Sequence, residues 1–276
     1  MISRQLSVVG NMKQLPNIFT LLNLFFGCVA IVYILQNGMM SLTTQEGELM
    51  LMLPEKIYWA SVYIGIAAVI DFLDGLVARI MKVNTDLGKQ LDSLADLVSF
   101  GVAPGMIVYQ FLRLSYAQQE NGLDVSALWL LPAFIIPCAG AYRLGRFNLD
   151  KEQSYGFKGV PIPAAGLLIA SFPLIYWYSN NSSAVNLLLN SWFWYALIAI
   201  VAYLMVCKAP MIALKFKKLN IKHDLPKLIL ITVAVFAGIL LHWLAVPVVF
   251  VAYVILSLAM PEYAKGNDRN IVKQVL

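Results

Sequence analysis

The sequence predicts an all-α, polytopic membrane bundle of about eight transmembrane helices with both termini in the cytoplasm. Three observations carry that prediction. Of 276 residues, 60% are hydrophobic and only 13% charged, with a mean hydropathy of +0.74. A soluble domain carries about 25% charged residues, so this chain could not cover its own surface in water. Apolar runs recur along it at close to the roughly 20 residues needed to cross hydrocarbon. Finally, 18 of its 20 Lys and Arg residues fall in alternate connections between those runs, the excess that cytoplasmic loops carry.

The runs follow in order. Residues 1–15 are mixed polar and no small-residue cleavage site follows the first run, 18–35, which is therefore expected as a retained span rather than a cleaved signal. Runs 57–80 and 87–112 are long but hold acidic residues. Runs 125–142 and 160–178 are uniformly apolar, 192–206 and 228–241 are short, and Pro247 interrupts the last, 246–260. Six or seven spans are the alternatives to eight. Only Lys56 and Arg113 lie on the outer side. The whole chain, 1–276, reads as one integral membrane domain, with 15–178 carrying the motifs and 190–261 adding further transmembrane helices.

This arrangement explains the net charge of +5 and pI near 9.0 through membrane orientation, so no nucleic-acid partner is expected. Three cysteines without a CxxC pair exclude a disulfide scaffold. Cys28, Cys138 and Cys207 are expected as thiols packed in the membrane. Lys215, Lys217 and Lys218 set orientation and could attract anionic lipid head groups. The sequons at Asn180 and Asn181 read as chance matches, and His223 and His242 have no partner that the sequence names.

A carboxylate inside a span is costly and points to function. Asp71 and Asp74 lie on the second span, Asp92 and Asp96 on the third. At about 100° per residue, Asp71, Asp74, Gly75 and Ala78 share one helical stripe, and Gly88, Asp92 and Asp96 share another. If the two spans form an antiparallel hairpin turning near 83–85, Asp74 lies level with Asp92 and Asp71 level with Asp96. Four like charges so close cannot all stay ionised unaided. All-oxygen ligation suits Mg²⁺ or Mn²⁺ rather than zinc, and two such ions form a clamp for phosphoryl chemistry. Gly75, Ala78 and Gly88 would let a bulky ligand approach the backbone; close helix packing is the competing explanation.

Written as a pattern, residues 71–96 are D-x2-D-G-x2-A-R-x8-G-x3-D-x3-D, eight fixed residues in 26 positions. The pattern resembles the motif of the CDP-alcohol phosphotransferase family. The resemblance implies transfer of a phosphatidyl or similar group from a CDP-linked donor to an alcohol, with release of CMP. It implies that Asp71, Asp74 and Asp92 bind the metals and that Asp96 helps to hold one while acting as general base on the attacking hydroxyl. Arg79 completes the pattern and could pair with phosphate oxygens. DSLADLVSFGVAP at 92–104, FKGVPIPAA at 157–165 and LPNIFTLLN at 15–23 are similar to blocks of the branch that uses serine as acceptor. There Asn17 and Thr20 would lie near the nucleotide.

The expected partners are therefore CDP-diacylglycerol, L-serine and membrane lipids, with a homodimer implied by the resemblance alone. A serine carboxylate calls for a cation near the metals, and Arg143, Arg146 and Lys158 are the candidates for it or for donor phosphate. Tyr142 and Asn148 are weaker ones. Ser93 points off the aspartate stripe and is discounted. With no Cys or His nucleophile in the cluster, direct displacement is the simplest scheme. Glycerol 3-phosphate or inositol phosphate as acceptor is the alternative within the same chemistry. A cation-coupled transporter is the alternative outside it, although such a protein would carry an internal repeat and none is apparent.

Overall fold

In hydrocarbon an uncharged run can satisfy its backbone only with its own carbonyls, and each of the expected runs is helical. The structure is a computed structural model that describes residues 15–43, 49–81, 85–119, 122–149, 157–212 and 225–260. Helix α1 spans Leu15–Gln36, α2 Tyr58–Met81, α3 Asp86–Asp96 and α4 Ala103–Ala117. Further along come α5 (Ile135–Leu149), α6 (Ile162–Tyr178), α7 (Ser182–Leu188), α8 (Ser191–Val206), α9 (Leu225–Leu241) and α10 (Ala245–Ala259). Two small antiparallel ribbons join them. Strand β1 (Met40–Thr43) pairs with β2 (Leu49–Met52), and β3 (Phe157–Lys158) pairs with β4 (Pro210–Met211). The fold is the all-α membrane bundle that the composition requires.

Among the described residues, five stretches are long and apolar enough to cross a membrane: Pro16–Gln36, Glu55–Met81, Asp86–Ala117, Ala127–Leu149 and Leu225–Ala259. A sixth is the α7–α8 pair, if its 77° bend is read as one broken span. The difference from eight has two sources. Helix α6 has only 17 residues, and the last two expected spans lie in a single apolar stretch. That stretch is broken at His242, whose φ of 50° is a left-handed conformation that no helix continues through. The two halves pack against each other, with Leu230 of α9 and Tyr253 of α10 in one buried cluster. The expectation that both termini share one side falls on residues 1–14 and 261–276, outside the described residues.

Two spans depart from the expected uniform helix. In the third, Leu97–Val102 is π-helical, and the Ala103 N–H donates to the Val98 carbonyl, five residues back. Pro104 follows at once; it has no N–H to give Phe100 and its ring crowds that carbonyl, so the helix widens by one residue. In the fourth, two short 3₁₀ turns, Ala127–Trp129 and Leu131–Phe134, precede α5. Pro132 at the start of the second removes a donor that an α-helix would need.

The widened turn sets the packing of the bundle centre. Ser99 donates to the Asn23 carbonyl at 3.0 Å and lies against Gly27 of α1. On the other side Phe100 meets Gly166 of α6, where an added Cβ would come within 2.9 Å of the Phe100 Cα. Further out, Phe111 stacks on Trp194 with centroids 4.9 Å apart. At the end of α2 remote from its aspartates, Tyr178 donates to Glu55 and Tyr195 donates to the Trp129 carbonyl. Such amphipathic rings suit a membrane–water boundary.

Candidate active site

Three helices supply the site. On α1, Asn17, Thr20 and Asn23 recur every third residue, a polar stripe on an otherwise apolar helix. On α2, Asp71 and Asp74 lie within about three turns of the helix end. Helix α3 begins where Thr85 caps it by accepting from the Gly88 N–H at 3.0 Å, which starts the stripe of Gly88, Asp92 and Asp96. The connecting residues 82–84, on which most of the expected turn falls, lie outside the described residues.

The structure brings the four aspartates together. Carboxylate oxygens of Asp71, Asp74 and Asp92 all lie within 4.8 Å of one another. Asp96, one turn deeper on α3, lies close to the Asp71 carboxyl group. Asp74 and Asp96 are buried, while Asp71 and Asp92 are half-buried. Two α1 side chains hold the buried pair. Thr20 Oγ1 lies 3.0 Å from Asp74 Oδ2, and Asn23 Nδ2 donates to Asp96 Oδ1 at 3.4 Å. No ammonium or guanidinium pairs with the cluster among the described residues, so its charge calls for a bound cation.

Beside the cluster is a cavity of about 150 Å³, walled by Asn17 and Thr20 of α1, by Asp74, Gly75 and Ala78 of α2, and by Gly88 and Asp92 of α3. Its two glycines differ. An added Cβ at Gly88 would meet Thr85 Oγ1 at 2.9 Å and Asn17 Oδ1 at 3.1 Å, so Gly88 lets α1 and α3 close together. At Gly75 it would meet nothing within 4 Å. That glycine keeps space open rather than helices tight.

The basic candidates separate. Arg79 lies back on its own helix, Nε donating to the Gly75 carbonyl at 2.7 Å, and does not wall the cavity. Arg146 spends its guanidinium on backbone: it donates to Val206 O at 2.8 Å, Cys207 O at 3.3 Å and Lys158 O at 3.4 Å. Lys158 is exposed in β3. Arg143 is different. It is 6% exposed, within electrostatic reach of Asp96, and sits 6.0 Å over the Phe147 ring. Its Nε–H is buried without a hydrogen-bond acceptor.

Four further residues join the site. Asn23, fully buried, leaves its Oδ1 unpartnered while its amide holds Asp96. The signal was its place three residues beyond Thr20 on the same stripe. Pro16 and Lys89 also line the cavity; Lys89 reads as an ordinary loop charge, and it borders the cavity while staying exposed. Thr85 lines it as well, and only a cap-before-helix pattern pointed there. Ser93 donates to the Lys89 carbonyl and accepts from Asn148 at 2.8 Å, away from the aspartate stripe.

The family profile of CDP-alcohol phosphatidyltransferases matches residues 13–203. A CDP-diacylglycerol–serine O-phosphatidyltransferase of Helicobacter pylori J99 is 33% identical over 156 residues, 56% of this chain and 54% of that protein. The Bacillus subtilis protein of the same name is 35% identical over 131 residues, covering 45% of this chain and 66% of its own. An archaetidylserine synthase of Methanothermobacter thermautotrophicus is 37% identical over 122 residues, 43% of this chain and 48% of its own. The chain spans about half the length of the H. pylori and archaeal relatives.

Proposed function

We propose that this chain, which belongs to the CDP-alcohol phosphatidyltransferase family, transfers the phosphatidyl group of CDP-diacylglycerol to the hydroxyl of L-serine and releases CMP. The observation that carries the proposal is the convergence of Asp71, Asp74 and Asp92 within 4.8 Å at the wall of an open cavity, inside the segment that matches the family. The names of the relatives supply the acceptor.

The donor set fits divalent cations. Carboxylate oxygens, without His or Cys, suit Mg²⁺ or Mn²⁺. Asp71, Asp74 and Asp92 would hold one ion, and Asp96, close to Asp71, would share in a second. When bound, such ions neutralise phosphate charge and stabilise both the attacking and the leaving oxygens of an in-line displacement.

The remaining work falls to side chains. Asp96 takes the proton of the serine hydroxyl as its oxygen bonds to the β-phosphorus. The bond from that phosphorus to the bridging oxygen breaks, and the electron pair leaves with CMP. Asn23 holds one Asp96 oxygen by its amide, which leaves the other for the proton. Asn17, Gly75, Ala78 and Gly88 bound the space for the nucleotide. Arg143, with a spare buried donor and within electrostatic reach of Asp96, would take the serine carboxylate, since a guanidinium matches a carboxylate in two parallel hydrogen bonds. The excess of basic residues in alternate connections supports a site that opens to the cytoplasm, with the donor's acyl chains staying in the bilayer.

The test is CMP release from CDP-diacylglycerol by purified protein with Mg²⁺ or Mn²⁺, comparing serine, glycerol 3-phosphate and inositol phosphate. Release that requires serine and is lost in Asp96→Asn supports the whole reading. Release with another acceptor keeps the metal site and overturns serine. A trapped phosphatidyl-enzyme would overturn direct displacement.

A further inference from the structure

Helix α10 lies beyond the family-matched residues, yet it is tied to the acceptor side of the site. Tyr253 and Ser257 are four residues apart and so share a face of α10. Tyr253 is 6% exposed and Ser257 fully buried. Together they close a ring on one residue of the connector after α8. The Ile212 N–H donates to Ser257 Oγ at 3.2 Å, and the Tyr253 hydroxyl donates to the Ile212 carbonyl at 3.2 Å. A backbone N–H and C=O buried in a membrane protein must find partners, and both of Ile212's come from α10.

Ile212 adjoins β4, and β4 pairs with β3, so the connection continues toward the site. Past that ribbon the Gly159 N–H donates to Ala209 O and the Val160 N–H to Leu204 O, each at 2.9 Å. Arg146 bonds carbonyls on both sides of the junction, at Lys158 and at Val206 and Cys207. One turn before Arg146 on α5 stands Arg143, with its unpartnered Nε–H. Tyr253 lies within electrostatic reach of Arg143. Because the hydroxyl proton of Tyr253 is committed to Ile212, its oxygen offers lone pairs, the polarity that favours a neighbouring guanidinium. Phe147 thus packs against Arg143, and Asp96 and Tyr253 both act on its charge, so a buried cation stands near the proposed base.

We propose that Tyr253 and Ser257 are positioning residues for acceptor binding, holding the connector at 207–212 and the Arg143 guanidinium where a serine carboxylate would dock. The inference rests on the serine reading given above. It gives the last hairpin a task that apolar packing alone would not: affinity for the acceptor, with the donor site and the displacement step left to α1, α2 and α3.

The experiment measures serine and CDP-diacylglycerol kinetics on the full-length protein, with thermal stability followed alongside. Tyr253→Phe keeps the ring and removes only the hydroxyl. It is expected to raise the KM for serine by about five- to tenfold, the loss of roughly one hydrogen bond's worth of binding, with kcat and the donor KM within about twofold. Ser257→Ala should shift the same parameter in the same direction. In an Arg143→Lys background, Tyr253→Phe should add less than about twofold, because coupled residues are not additive. An unchanged serine KM, a parallel fall in every parameter with stability, or full additivity with Arg143→Lys would each overturn the inference. Wild-type protein that releases no CMP with serine would overturn the acceptor reading itself, before any variant is compared.

Discussion

Gly75 separates the demands of the fold from those of the site. An added Cβ there meets nothing within 4 Å, and the residue borders a cavity of about 150 Å³ beside Asp74 and Asp92. Leucine suits a helix better than glycine by close to 1 kcal/mol, so Gly75→Leu should fold at least as stably as wild type. Its side chain enters the space proposed for the nucleotide. Displacing even one charge-assisted contact to the donor costs about 2 kcal/mol, roughly a 30-fold fall in kcat/KM. The loss should appear chiefly in the KM for CDP-diacylglycerol. Gly75→Ala, whose methyl group fits the open space, should stay within a few-fold of wild type. Gly166→Ala is the opposite control: its Cβ would lie 2.8 Å from the Phe100 Cβ and 2.9 Å from the Phe100 carbonyl oxygen. That overpacking should cost about 1–3 kcal/mol of stability. The assays are thermal unfolding in detergent and CMP release against donor concentration. A stable Gly75→Leu protein with wild-type donor KM would refute the placement of the nucleotide.

Three other substitutions or treatments address separate parts of the site. Asn23→Ala should lower kcat about tenfold with both KM values little changed, since it removes an amide donor that holds Asp96 at a long 3.4 Å; steady-state CMP release checks this. Arg143→Lys should raise the serine KM about tenfold or more, because an ammonium cannot reproduce a planar two-point contact; an acceptor titration checks it. Removing divalent ions with a chelator should abolish release, and Mg²⁺ or Mn²⁺ should restore it. Activity that survives exhaustive chelation would leave the Asp71, Asp74 and Asp92 cluster without its proposed occupant.

Much of the site was legible because its residues are local in sequence. Asp71, Asp74, Asp92 and Asp96 fall within 26 positions, and helical periodicity alone puts each pair on one face. Charges in an apolar frame are rare enough that four of them define a layer. What periodicity could not give was the partner helix. Asn23 touches Asp96 across 73 residues of chain, and its polarity on α1 could be read only once α1 was known to lie against α3. The π-helical turn at Leu97–Val102 had a local cause in Pro104. Pattern reading treats such a proline as a helix end or kink, whereas the bundle keeps the span intact by widening it.

The arginines show the opposite limit. Arg143 and Arg146 are one turn apart on α5 and equivalent by charge, spacing and position. Burial tells them apart. Arg146 faces the junction of β3 with the end of α8, where carbonyls freed by the ends of helices accept its protons; an α-helix leaves its last four carbonyls unpaired. Arg143 faces inward, finds an aromatic ring and a carboxylate-rich layer, and keeps a donor in reserve. A buried cation with an unmet N–H is costly, and such a cost is tolerable where a ligand repays it during turnover. The same argument explains why the α10 residues Tyr253 and Ser257 carried no signal in sequence. Two hydroxyls in an apolar helix look like packing residues until the chain from α8 returns to offer them a peptide group. Specificity for the acceptor would then be built from contacts 45 and 41 residues apart in the chain, whereas the clustered carboxylates are set by a motif within a single helical hairpin.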